Sequence, residues 1–140
     1  MNREQLSKSR KLVTERLEKL VGRGSQFLEV HEPLVHGWVR RNRRKCGHSN
    51  CRCARGELHE TQTFGTREGG KEFHRGIPPE NLSALKACTK RWRRYRAARA
   101  QLVKDFHQLL EAIDGLEEQL SEPWKDWITP KTKPQRKETS

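Results

Sequence analysis

The chain has 140 residues, 30 Lys and Arg against 18 Asp and Glu, and a formal net charge of +12, so a polyanion is the expected partner. Hydrophobic residues make up 31% and charged ones 34%, which excludes one large core wrapped by several layers of structure. Long helices burying a narrow stripe, plus a subdomain stabilised by something other than apolar burial, fit this balance better.

From Asn2 to Val21 the apolar residues Leu6, Val13, Leu17 and Leu20 recur at helical spacing among charged neighbours, which predicts an amphipathic helix that Gly22 and Gly24 stop. Residues 25–39 are apolar without a clean period and are broken by Pro33 and Gly37, so an irregular, core-contacting stretch is expected. Residues 40–55 carry seven cations and three cysteines. Two flanks, 57–66 and 71–77, then surround Arg67-Glu68-Gly69-Gly70 and read as a β-hairpin.

Pro78-Pro79-Glu80 marks a helix start. The apolar positions Leu85, Cys88, Trp92, Tyr95, Leu102, Phe106, Leu109, Ile113, Leu116 and Leu120 then alternate by threes and fours, interrupted by Arg99. One helix of about 40 residues, about 60 Å long, is implied. Its charge is polarised: residues 86–104 hold eight cations and no acid, whereas 105–122 hold six acids and no Lys or Arg. Such a stripe needs a partner, either the first helix or a second copy, and a homodimer through this C-terminal helix is expected. Beyond it, a basic tail with Trp124 and Trp127 is expected to lack a fixed fold and to dock through its tryptophans.

The expected class is therefore α+β and mainly α, with an N-terminal helix and a long coiled-coil-like helix flanking a small cysteine-bearing knuckle and β-hairpin. The parts are residues 1–24, 25–79, 80–122 and 123–140. No run of about 18 apolar residues offers a membrane span, and no apolar signal follows Met1, so a cytoplasmic protein with no membrane partner is expected.

Cys46, Cys51 and Cys53 fall within eight residues, with His59 six further on. In a reducing compartment such a cluster suits Zn2+, which takes four nitrogen or sulfur ligands in a tetrahedron. Cys46, Cys51, Cys53 and His59 are the preferred set, with His48, His74 and Cys88 as other candidates for the fourth place. Four ligands close the sphere, so the zinc is expected to be structural and the protein not an enzyme; a nuclease would require an open position and an acid such as Glu57 or Glu60. Cys88 on the helical stripe also reads as a small core hydrophobe. Arg40, Arg41, Arg43, Arg44, Lys45, Arg52 and Arg55 around the knuckle, with Lys90, Arg91, Arg93, Arg94 and Arg96 on the helix, are candidate phosphate-binding residues. Trp92 and Tyr95 fit burial in the stripe better than base stacking.

Gly24-Ser25, Cys46-Gly47-x3-Cys51-Arg52-Cys53-Ala54-x-Gly56-x2-His59, Gly69-Gly70-Lys71, Pro78 and Tyr95-Arg96 together resemble an uncharacterised prokaryotic family of short proteins often encoded with transposases and other mobile elements. The resemblance spans residues 24–120. It implies that Cys46, Cys51, Cys53 and His59 form the functional cluster and that His48, standing where the family has Lys, is not a ligand. Glu60-Thr61 replaces the family's Gly-Pro, the hairpin's aromatic run is reduced to Thr63-Phe64, and extra residues separate Ser25 from Cys46. The expected role is a nucleic-acid-binding accessory protein, nucleoid-associated, with DNA preferred to RNA and a transposase- or recombinase-type partner. The competing expectation is a coiled-coil adaptor for another protein.

Overall fold

A computed structural model describes residues 2–132 and is mainly helical. The elements run α1 (Arg3–Ser25), a 3-10 turn (Gln26–Glu29), β1 (Trp38–Arg44), a 3-10 turn (Arg52–Arg55), β2 (His59–Glu68), β3 (Lys71–Gly76), a 3-10 turn (Pro79–Asn81), α2 (Leu82–Leu120) and α3 (Lys125–Ile128). Gly22–Lys104 forms one compact unit, and Met1–Val21 with Asp105–Ser140 the other.

In the second of these units Asn2 caps α1, its Oδ1 accepting the Glu4 N–H at 3.0 Å, and Lys8 pairs with Glu4 one turn on. Arg16 donates to Gln108 Oε1 at 3.1 Å and Lys19 lies 3.7 Å from Asp105 Oδ1; the ascending α1 numbers meet descending α2 numbers, so these helix portions run antiparallel. Leu109 and Ala112 are the buried apolar residues of this seam, and Asp105 is buried beside Lys19. The predicted stripe is only partly used here, because Phe106, Ile113 and Leu120 turn away from the seam and stay exposed, as does Leu17 of α1. Regular 3-4 spacing holds a single line only on an under-wound coiled coil; on an ordinary α-helix the line drifts about 20° per heptad.

In Gly22–Lys104, α1 does not stop at the glycines but passes through Gly22 and Gly24 to Ser25. A glycine costs a helix interior about 1 kcal/mol, little enough for packing to override. Here a Cβ at Gly24 would meet Leu102 at 3.9 Å, and the Ser25 hydroxyl donates to the Gly22 carbonyl at 2.8 Å. Phe27 then meets Tyr95 edge-on at 5.0 Å, and His36 stacks on Trp92 at 5.0 Å. Both helix aromatics are thus engaged inside the fold.

The expected hairpin is present as β2 and β3, closed by Gly69-Gly70 with Glu68 opposite Lys71. Both turn glycines have positive φ, 57° and 77°, as a two-residue turn matching strand twist requires. A third strand joins it: β1 pairs antiparallel with β2 from Trp38↔Gly65 to Arg44↔His59, giving the order β1-β2-β3. The basic run at 40–44 is therefore strand. Strand alternation puts Val39, Arg41 and Arg43 on one face with Phe64, and Trp38, Arg40, Asn42 and Arg44 on the other with Gly65 and His74. The first face turns to α2, where Val39 and Phe64 line clefts against Thr89 and Leu85. On the second, the Trp38 ring lies over Gly65, where a Cβ would come within 2.4 Å of it.

The proline start of α2 is as expected, with Pro79 in a 3-10 turn leading into a 39-residue helix. Past it, the tail forms one helical turn at Lys125–Ile128 in which Trp127 Nε1 donates to Glu122. Both tail tryptophans remain exposed. Residues 133–140 of the expected flexible tail lie outside the described residues.

Candidate metal centre and basic surface

The metal cluster is built by the β1–β2 connection. Cys46 follows β1, Cys51 and Cys53 bracket the start of the 3-10 turn Arg52–Arg55, and His59 opens β2. The Cys51 N–H donates to the His48 carbonyl at 3.2 Å and the Ala54 N–H to the Cys51 carbonyl at 3.0 Å, folding the loop back on itself. Gly56, at φ 104°, lets the chain leave the turn toward β2.

Ligand atoms of Cys46, Cys51, Cys53 and His59 all lie within 4.8 Å of one another. Cys46 Sγ is 3.4 Å from Cys53 Sγ, and Cys51 Sγ is 2.9 Å from His59 Nε2. Thiolates each ~2.3 Å from a tetrahedral ion stand ~3.8 Å apart, so the cluster spans the separations that one such ion imposes. Cys53 is buried, Cys51 half-buried, and Cys46 and His59 exposed. The Cys46 backbone N–H donates to Cys53 Sγ at 3.2 Å; that bond holds the Cys53 thiol below its ordinary value against the opposing effect of burial. Cys46 moves up: a backbone bond at His48 favours its thiolate, but the Cys53 thiol, burial and Cys51 outweigh it. Crowded thiols resist becoming thiolates together, and a divalent cation among them removes that repulsion.

His48, His74 and Cys88, the other candidates for the fourth ligand, stand outside this group. His74 on β3 is 3.1 Å from Glu72 and meets Trp38 edge-on. Cys88 sits on α2, its carbonyl accepting the Val35 N–H and its sulfur near Arg91. Of the acids near the centre, Glu60 is bound by Arg41.

The expected phosphate-binding residues separate into two sets. Arg91 is 2.6 Å from Glu32 and donates to the Pro33 carbonyl at 2.7 Å, so together with Arg41 it is tied to protein groups. Arg40, Arg43, Arg44, Lys45, Arg52, Arg55, Lys90, Arg93, Arg94 and Arg96 have no ion pair among the described residues. Lys90 and Arg93 line a cleft of about 390 Å³ with Val39 of β1 and Lys86. Lys86 was not singled out with them, although the spacing 86, 90, 93 was enough to put all three on one helix face.

Comparisons with family models, with curated proteins and with solved structures return no match. No helix among the described residues is long and apolar enough to cross a membrane.

Proposed function

We propose that this chain binds nucleic acid, DNA ahead of RNA, through a cationic strand and cleft whose shape depends on a structural zinc ion held by Cys46, Cys51, Cys53 and His59. The observation that carries this reading is the register Arg44↔His59: the last cation of β1 stands opposite a metal ligand. Held by Cys46, Cys51, Cys53 and His59, zinc would brace the end of the β1–β2 ladder and with it the spacing of Arg40, Arg43, Arg44 and Lys45. Its chemistry there is to neutralise thiolates and cross-link the loop. The cleft with Lys86, Lys90 and Arg93 beside Val39 adds cations on the α2 side of the same strand. Guanidinium groups without acidic partners are available to take phosphate oxygens bidentately. The preference for DNA, and for a recombinase-type partner, rests on the knuckle's resemblance to mobile-element-associated proteins.

The test is fluorescence anisotropy of the zinc-loaded chain with labelled single- and double-stranded oligonucleotides across a salt series. Binding should weaken steeply with salt. The variant Arg40→Ala/Arg43→Ala/Arg44→Ala should reduce the log-log salt slope by about 2 to 3, one phosphate contact per cation. Absence of binding at about 50 mM salt, or a slope that the triple variant leaves unchanged, rejects the reading.

A further inference from the structure

The unit formed by Met1–Val21 with Asp105–Ser140 leaves an apolar face uncovered. Its helices meet along a seam made by Leu6, Val13 and Leu20 of α1 with Asp105, Leu109, Ala112 and Leu116 of α2, all buried or half-buried. At 100° per residue, Phe106, Leu110, Ile113, Glu117 and Leu120 lie together on one side of the α2 seam, and Arg3, Arg10, Leu17 and Val21 lie on the same rotational side of α1. Because the helices are antiparallel, those two lines share one face of the hairpin. Its six large apolar side chains are 39% to 62% exposed.

The charges on this unit are divided between its helices. Over residues 3–21, α1 has six cations and three acids, whereas α2 over 105–120 has five acids and no Lys or Arg. Within the exposed α2 line, Glu117 occupies a place where the spacing asks for an apolar residue. No ion pair involving it occurs among the described residues.

We propose that this face binds a second copy of the chain, forming an antiparallel four-helix bundle with its two-fold axis parallel to the helices. That axis sets each α1 against the other copy's α2, whereas an axis across the helices would set α1 on α1 and acidic α2 on acidic α2. A surface with one positive and one negative stripe is complementary to itself only under the first operation. The operation also preserves level along the bundle. Arg16 stands level with Gln108 and Lys19 with Asp105, so Leu17 of one copy falls beside Phe106 of the other, and Glu117 falls within a turn of the second copy's Arg10 and Arg3. Apolar ends meet apolar ends, and the acid in the stripe meets cations. A face about 30 Å long and two helices, about 20 Å, wide buries ~600 Å² per copy in projection, near the lower bound for a specific dimer.

Sedimentation velocity of the full, zinc-loaded chain from 1 to 100 µM, about the range such an interface implies, tests this. The wild type should shift from monomer toward dimer across that range, and Ile113→Glu should weaken self-association at least tenfold with helicity unchanged by circular dichroism. Should Ile113→Glu lose helicity, the charge exchange supplies the reading: Arg10→Glu or Glu117→Arg alone weakens the dimer, and the two together restore it. A monomer throughout, a dimer indifferent to Ile113→Glu, or a double exchange without rescue overturns the proposal.

Discussion

The cysteine-bearing sheet and the antiparallel helix pair answer the same shortage of apolar residues in different ways. Across Gly22–Lys104 the single buried hydrophobic side chain is Cys53, itself a candidate metal ligand, whereas the helix pair buries Leu109 and Ala112 against a neighbouring helix. A region with so few buried apolar groups has most to gain from a cross-link at the loop, and the zinc proposed there would contribute on the order of 10 kcal/mol to such a segment. A helix pair has its backbone bonds satisfied internally and needs only one good stripe per helix. The lesson is that a thin, highly charged chain can be ordered either by ligands or by helix faces, and that the two regions should fail under different insults.

Metal removal should produce the largest separation between them. Chelation, or Cys53→Ser, should abolish amide protection across β1, β2 and β3 while leaving most of the far-ultraviolet helical signal, as hydrogen exchange and circular dichroism would report. Protection surviving in metal-free protein would mean that strand pairing, with Val39 and Phe64 facing α2 across shared clefts, suffices. Next in size, Leu109→Ala should cost the helix pair about 2 to 4 kcal/mol, the usual range for truncating a buried leucine. Bound zinc measured on the same sample should be unchanged; loss of zinc together with helix stability would break the distinction between the regions. The smallest effect is expected at the hairpin turn, where Gly70→Ala puts a side chain at φ 77° and should cost about 1 kcal/mol. Its signature is confined to β2 and β3 exchange rates.

Much of the candidate metal site could be read from spacing alone, because a loop of Cys-x4-Cys-x-Cys with a histidine six residues on can return to one point without long-range help. The hairpin was legible for the same reason, in Gly69-Gly70 between two flanks. The third strand was not: Arg40, Arg41, Arg43 and Arg44 conceal the alternation of Trp38 and Val39, and only pairing with β2 gives that run its form. Nor could spacing say which cations would be tied up. Arg41 and Arg91 look like their neighbours in the sequence, but Glu60 and Glu32 reach them from other elements.

What the sequence by itself determined are the features set by local chemistry: the length of α2 between its prolines and Leu120, the two-residue glycine turn, and the grouping of three thiols with one imidazole. Tertiary structure alone decided the continuation of α1 through Gly22 and Gly24, the recruitment of β1, and the division of the long apolar stripe. Beyond Leu102 that stripe splits into a buried line through Leu109 and an exposed one through Phe106 and Ile113. Helical periodicity records that both lines exist, but the side on which a neighbour lies is fixed only by packing, which no local spacing encodes.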